Sequence, residues 1–358
     1  MVTQSFWKGK RVFLTGHTGF KGSWLTLWLK EMGAHVTGFS LAPPTSPSLF
    51  QLADVSAGIT HIEGDIRDLP LLKSRMKTAE PEIVFHLAAQ PLVRHSYKDP
   101  VETYSTNLMG TVNFLEALRA CPESKAAVVV TSDKCYENKE WPWGYRENEP
   151  MGGFDPYSCS KGCAELITSS YRKSFFSDKN STHIATARAG NVIGGGDYAE
   201  DRLIPDLVRS TFERNPLEIR NPNAVRPWQH VLEPLSGYLM LAESLFKEGG
   251  QKFAEGWNFG PNDQDCTSVK YVVETFQEIL NKSSSVTFGS SLSFHEAELL
   301  KLDISKARYQ LGWNPSLNLN DALNWTAKWY LETQNNHRNS RAFTLDQIQR
   351  FIKVTKEN

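Results

Sequence analysis

The chain has 358 residues, 40% of them hydrophobic and 22% charged, and a formal net charge of -1. That is an ordinary globular composition, long enough for one large α/β domain plus a smaller lobe. The near-zero charge excludes a general attraction to nucleic acid or an anionic membrane and leaves room only for a local basic pocket, and the apolar runs fall far short of the roughly 20 residues needed to cross a bilayer.

The N-terminal stretch MVTQSFWKGKRVFLTG leads straight into a strand pattern and shows no signal-peptide core. Residues 11–16 (RVFLTG) read as a strand and 20–32 as an amphipathic helix ended by Gly33. A second strand at 34–40 runs into the loop PPTSPS, which continues neither element. Further strands are predicted at 60–66, 82–89 and 126–133, with the longest helix at 101–119 and another opening at Tyr157. Residues 183–194 read as a sixth strand ending in a glycine-rich loop. Strands that are apolar throughout, alternating with helices, indicate a parallel sheet buried on both faces. The fold class is therefore α/β, a Rossmann-type doubly wound parallel sheet. Residues 1–194 form its domain, with segments around 225–260 returning to it. Residues 195–358 make a smaller mixed α/β substrate lobe, with one strand at 257–260 and helices near 268–281, 295–302 and 320–333. The charged tail after Asn335 is weakly patterned, and no internal repeat is visible. Five cysteines (Cys121, Cys135, Cys159, Cys163, Cys266) form no CxxC pair. Cys159 and Cys163 make half a metal site at most, so reduced thiols, no metal and a cytoplasmic location are expected.

Directly after the first strand come Gly16, His17, Gly19, Phe20 and Gly22 in the stretch GHTGFKG. Glycines at a strand-to-helix turn let the backbone approach a diphosphate, and the helix N-terminus supplies unpaired N–H groups. Dinucleotide binding is the expectation. No acidic residue follows the second strand to take ribose hydroxyls, and no basic cluster is there for a 2′-phosphate, so NAD and NADP stay open on local residues. Ser40 is the one candidate ribose contact. His17 either obstructs the cofactor or points to solvent. Tyr157 and Lys161, four apart, share a helix face. A nearby ammonium is expected to lower the Tyr157 pKa toward neutrality, so that a phenolate takes a proton from a substrate alcohol.

This constellation resembles the extended short-chain dehydrogenases that act on sugar nucleotides, from Arg11 to about Trp329. The likeness includes HLAAQ (86–90), Asn107, RAGNVIG (188–194) and RPWQH (226–230). It implies NAD as cofactor, with Asp65 at the adenine and Ile66, Leu87, Ala88 and Ala89 also along it, and Ser132 as the partner of Tyr157. Epimerases and reductases of this family need only the hydroxyl, Tyr and Lys. Here Ser132 is followed by Asp133 and Lys134, which resembles the nucleotide-sugar 4,6-dehydratases. Those acting on dTDP-glucose carry Thr-Asp-Glu at this place. The lysine, together with GHTGFKGSWL, HLAAQPLVRHSY and GGGDYAEDRLIPD, resembles the branch acting on CDP-glucose.

That likeness implies oxidation at C4, loss of water across C5 and C6, and reduction at C6, giving CDP-4-dehydro-6-deoxy-D-glucose. Lys134 is the candidate base at C5, which needs a neutral amine, and Asp133 the candidate acid at the 6-hydroxyl. Lys134 only positioning Asp133 is the other division. The plain alternative for both is a solvated strand end with a weak ion pair. On the substrate side, Arg94, Arg202 and Arg226 suit a diphosphate, since a guanidinium matches phosphate oxygens bidentately. Gln90, Asn107, Asn191 and His230 complete the implied substrate set, and Asn107 alternatively supports the backbone around Lys161. Trp141, Trp143 and Trp228 either stack on a base or sugar or pack in the core. The likeness also implies a homodimer through a four-helix bundle built from helices 101–119 and 157–176, and a place in deoxysugar synthesis for lipopolysaccharide O-antigen. The competing reading is an NAD-dependent epimerase or reductase of the same fold.

Overall fold

A computed structural model describes residues 1–178, 181–281, 286–289, 297–334 and 339–357. Seven strands form the main sheet: β1 (Arg11–Thr15), β2 (His35–Ser40), β3 (Thr60–Glu63), β4 (Ile83–His86), β5 (Ala126–Val130), β6 (His183–Arg188) and β7 (Gly256–Asn258). Their order is β7-β6-β5-β4-β1-β2-β3, and every neighbouring pair is parallel. All residues of β4 and β5 are buried, as a sheet covered on both faces requires.

Alternation along β1 sends Val12 and Leu14 to one core and Phe13 to the other. The first core packs under helices α1 (Phe20–Glu31) and α6 (Leu232–Phe246), through Trp24, Trp28, Leu235 and Leu239. The second packs under α2 (Leu69–Ala79) and α3 (Gly110–Arg119), through Leu72, Met76, Phe114 and Leu118. The remaining helices of at least eight described residues are α4 (Pro156–Phe175), α5 (Leu203–Glu213), α7 (Val269–Leu280), α8 (Leu319–Gln334) and α9 (Ser340–Glu357). Strand order reverses between β1 and β4, and their carboxyl ends open the crevice where doubly wound folds bind ligands. Among the described residues no helix is long and apolar enough to cross a membrane.

Three expectations are corrected, and a fourth, the helix at 101–119, is present with a π turn inside it. The strand predicted for the C-terminal lobe is β7, an edge strand of the main sheet, because Trp257 pairs beside Ala187 and is fully buried. Of the helix predicted at 295–302, residues 295 and 296 lie outside the described residues, and 297–302 is extended, bridging Val225 and Tyr145. Its buried pair, Leu300 and Leu302, has the period of a strand. The weakly patterned tail contains α9, which buries Ile348 and Phe351 and sets Phe351 against Trp28 at 5.8 Å. The helix predicted at 101–119 is a composite: Pro100–Tyr104, a π turn at Ser105–Met109, then α3.

Candidate active site

Beyond β5 the chain makes one tight turn over Asp133–Cys135, capped by Ser132. The Ser132 hydroxyl accepts from the Lys134 N–H at 3.2 Å and donates to Asp133 Oδ1 at 3.0 Å. Asp133 is only 2% exposed, and its Oδ2 has no hydrogen-bond partner among the described residues. A Cβ on Gly190 would sit 1.8 Å from that oxygen, so the backbone of residue 190 closes directly over the carboxylate. Lys134 is half-buried beside it.

Helix α4 starts opposite this turn because Asp155 caps it, accepting from the Ser158 N–H at 2.9 Å, with Pro156 in the first turn. Helical spacing then places Tyr157 and Lys161 on one buried face, with Lys161 Nζ 5.9 Å from the Tyr157 ring centre. The Tyr157 phenol lies close enough to the Ser132 hydroxyl for that group to lower its pKa. Strand end and helix start thus bring a hydroxyl, a carboxyl, a phenol and two amines together.

The electrostatics differ from the expectation for Tyr157. Burial pushes its phenol up to about 12, while the Ser132 hydroxyl pulls down and Asp133 pushes up. Burial also lowers Lys161 to about 8, against the pull of Cys135 and Glu165. Desolvation, which penalises both charged forms, outweighs the attraction between neighbours. Lys21, in the first turn of α1, is pushed down to about 7 by burial first and by Arg202 next, with Asp133 opposing. Sequence reasoning passed over Lys21, although it lies in the glycine loop. It shares one field with Arg202, Asp133 and Lys161.

The glycine loop has a cradle's shape. Gly16 has a φ of +78°, and a Cβ there would meet Ala88 N at 2.6 Å. A Cβ on Gly22 would strike Gly16 O at 2.1 Å. Gly19, at the N-terminus of α1, would meet nothing closer than 3.5 Å, so its backbone faces open space at a helix start. Such a start accepts a diphosphate. Phe20, next in the loop, packs on the Gly194 backbone. His17 neither points to solvent nor stands in the cradle. It is buried beneath β2, over Gly38, with Nε2 2.6 Å from His61 Nδ1. Burial holds it neutral, with a pKa near 3. Ser40 at the end of β2 hydrogen-bonds Thr18 at 2.8 Å. Asp65 is gripped by Arg67, which lowers its pKa, and Ile66 is buried against Gly110. Leu87, Ala88 and Ala89 follow β4 directly across from Gly16.

The expected substrate residues divide by location. Asn107, in the π turn, is spent on the Gln90 backbone in both directions (2.8 and 2.9 Å) and on Ser160 Oγ (2.9 Å). It ties the loop after β4 to the residue before Lys161. The Gln90 side chain binds Thr103 and its own loop. His230 is fully buried between the edges of Trp24 and Trp325, with its pKa near 3 through burial. Arg202 lies in the field of Tyr157 and Lys21 and pairs with Asp197 at 2.8 Å, while Arg94 pairs with Asp201 at 3.1 Å. Arg220, which sequence reasoning missed, lies 3.8 Å from the same Asp201. Arg226 donates to the carbonyls of Val225, Ala297 and Glu298. Asn191 follows Gly190 with a φ of +44°, a conformation asparagine tolerates. Trp228 is buried and donates to Thr267 O at 3.1 Å, whereas Trp141 stacks on Tyr145 at 5.7 Å and Trp143 is exposed. Among the described residues no cluster of three or more His, Cys, Asp or Glu suits a metal.

A Rossmann-type sheet with a strand-end serine facing a Tyr–Lys helix defines a short-chain dehydrogenase. A family model described as GDP-mannose 4,6 dehydratase matches residues 13–326. A CDP-glucose 4,6-dehydratase of Salmonella typhimurium is 55% identical over 334 residues, spanning 92% of this chain and 93% of that protein. The chain belongs to this nucleotide-sugar 4,6-dehydratase family of extended short-chain dehydrogenases. Two solved structures share the fold: an epimerase of Methanothermobacter thermautotrophicus (TM-score 0.80, 23% identity, 94% of this chain and 96% of that one), and a dTDP-glucose 4,6-dehydratase double mutant of Streptomyces venezuelae with NAD bound (TM-score 0.77, 22% identity, 91% and 98%).

Proposed function

We propose that this chain is an NAD-dependent enzyme that converts CDP-glucose to CDP-4-dehydro-6-deoxy-D-glucose and water. The observation that carries the reading is the buried Asp133 carboxyl beside Lys134, hydrogen-bonded to the serine that meets Tyr157. Oxidation and reduction at C4 alone need neither group. The cytidine base is taken from the Salmonella relative. The cradle of Gly16, Gly19, Phe20 and Gly22, with Ser40, Asp65, Ile66 and Leu87 to Ala89, suits NAD. When bound, NAD supplies a hydride acceptor at C4 and a donor at C6, and its positive ring favours the Tyr157 phenolate.

Tyr157 then takes the 4-hydroxyl proton, with Ser132 hydrogen-bonding the same oxygen and Lys161 stabilising the phenolate. The 4-ketone acidifies the C5 proton. Lys134 removes it as Asp133 protonates the 6-hydroxyl, the C6–O bond breaks, and water leaves. Lys134 returns a proton to C5 after C6 is reduced. Arg94, Arg202 and Arg226 are the proposed diphosphate partners, with Asn191 toward the phosphate or sugar.

The paired helices Pro100–Arg119 and α4 pack side by side and expose Val101 (77%) and Leu166 (59%). That apolar face supports a homodimer through a four-helix bundle. A cytoplasmic location and a role in lipopolysaccharide O-antigen synthesis complete the reading. The test is incubation with NAD and CDP-glucose, UDP-glucose or dTDP-glucose, followed by mass spectrometry. Loss of one water from CDP-glucose alone is expected. Loss from another nucleotide moves the substrate, and a C4 epimer or lasting NADH rejects dehydration.

A further inference from the structure

One buried ion pair lies under the active-site segment. Arg188, at the end of β6, donates from Nε to Glu165 Oε1 at 2.9 Å and from Nη2 to Glu165 Oε2 at 2.8 Å. Both side chains are 4% exposed. Glu165 lies four residues past Lys161 and eight past Tyr157, on the same face of α4. Besides Thr186, which donates to Glu165 Oε2 at 2.6 Å, and the Glu147 carbonyl, the pair has two connections to the active-site turn. Thr131, immediately before Ser132, donates to Glu165 Oε1 at 2.5 Å. Arg188 Nη1 donates to the Tyr136 hydroxyl at 2.6 Å, two residues beyond Lys134. Thr131 and Tyr136 are the two ends of the turn that carries Ser132, Asp133 and Lys134. Tyr136 in turn donates to Asn258 Oδ1 at 2.7 Å, and Asn258 reaches the carbonyls of Tyr145 and Asp303.

We propose that the Glu165–Arg188 pair is a positioning device that holds both ends of the Ser132-Asp133-Lys134 turn against the helix bearing Tyr157 and Lys161. Backbone bonds tie the flanks of the turn to β6 and to residues 150–152, with Thr131 N–H on Ala187 O at 2.9 Å, Gly152 N–H on Cys135 O at 2.8 Å and Glu137 N–H on Pro150 O at 2.9 Å, and none of these reaches α4. Within the turn, Lys134 N–H bonds the Ser132 side chain and Cys135 N–H reaches Ser132 O at 3.2 Å. A buried ion pair supplies little net stability over apolar packing; its attested use is to fix geometry. The guanidinium fork is suited to that. Its planar donors take Glu165 twice, Tyr136 once and Glu147 O once. The two chemistries, C4 oxidation on the helix and water loss on the turn, thereby share one anchor.

The inference rests on the dehydratase reading for its kinetic arm, and on the fold alone for its exchange arm. Removing either charge strands the other in the core, so the test releases the grips one at a time. Tyr136→Phe frees the end beyond Lys134 and leaves Arg188 with Glu165 and Glu147. In single turnover with NAD and CDP-glucose, water loss is expected to slow about tenfold, the worth of one buried hydrogen bond to a charge, with C4 oxidation, read as transient NADH, nearly unchanged. Thr131→Val frees the Ser132 end and is expected to slow C4 oxidation itself. Amide hydrogen exchange at 132–136 rises in both, at a melting temperature close to that of the parent. Equal slowing of both steps in Tyr136→Phe, or no change in either, overturns the proposal. So does unchanged exchange across the turn, which is read without substrate. A parent protein that leaves CDP-glucose untouched while exchange responds as expected keeps the positioning role and discards the substrate.

Discussion

Gly190 offers the sharpest perturbation of the candidate acid. An alanine Cβ there would lie 1.8 Å from Asp133 Oδ2, 2.1 Å from Cγ and 2.6 Å from Oδ1. Ordinary contact is about 3.5 Å, so the carboxylate must retreat by roughly 1.5 Å. Gly190 is not among the positive-φ glycines, so alanine meets no left-handed backbone strain, and the three atoms nearest its Cβ all belong to Asp133. Overpacking of this kind costs about 1–3 kcal/mol of stability, and the protein stays folded. Misplacing a reacting group by about 1 Å costs on the order of 100-fold in rate, or about 2.7 kcal/mol at the transition state. For Gly190→Ala, water loss from CDP-glucose at saturation should fall by about that factor. The C4 oxidation step, followed as NADH absorbance before the steady state, should survive, since Tyr157 and Lys161 are untouched. A folded Gly190→Ala protein with full dehydration would refute the role given to the Asp133 carboxyl.

Lys134→Ala should still oxidise C4 but accumulate NADH without losing water; full turnover would show that Lys134 is not the C5 base. Lys161 is held near 8, below its usual 10.5. The unfolded chain therefore binds the extra proton between those values, and the cost of burying the charge is complete below pH 8 and fades as pH rises toward 10.5. An inactive Lys161→Met protein should be more stable than the parent at pH 7 by about 3 kcal/mol, with the gap closing above pH 8 in paired thermal melts. Parallel melting curves across that range would contradict the burial argument. Leu166→Glu, on the exposed apolar face of α4, should shift light-scattering mass from dimer to monomer, and an unchanged mass would remove that face from the interface.

Much of the sheet was legible because buried parallel strands leave continuous apolar runs, as in β4 and β5. The glycine loop was legible because strand, glycines and helix follow in order. What escaped depends on distant partners. Trp257 looks like lobe sequence until its pairing beside Ala187 is known. Leu300 and Leu302 carry a strand period within a stretch whose composition resembles a helix. The α9 pattern is faint because its buried residues dock on a helix more than 300 positions earlier, at Trp28. The same holds in the site. Ser132, Tyr157 and Lys161 meet through short-range spacing and one strand-helix contact. Gly190 is constrained by a carboxyl far back in sequence, and Glu165 and Arg188 pair across two elements. Local charge reasoning lowered the Tyr157 pKa because it weighed Lys161 and not burial. His17 was misjudged for the same reason, since its pocket is formed by Gly38 on the next strand.

The most direct test of the account uses CDP-glucose carrying deuterium at C4, incubated with NAD and the purified protein, with the product read by NMR. The account predicts one water lost, deuterium recovered at C6 of the 4-dehydro-6-deoxy product, a proton from solvent at C5, and no net NADH. Deuterium returned to C4, or lost to the NADH pool without dehydration, would contradict it and leave Asp133 and Lys134 outside the reaction.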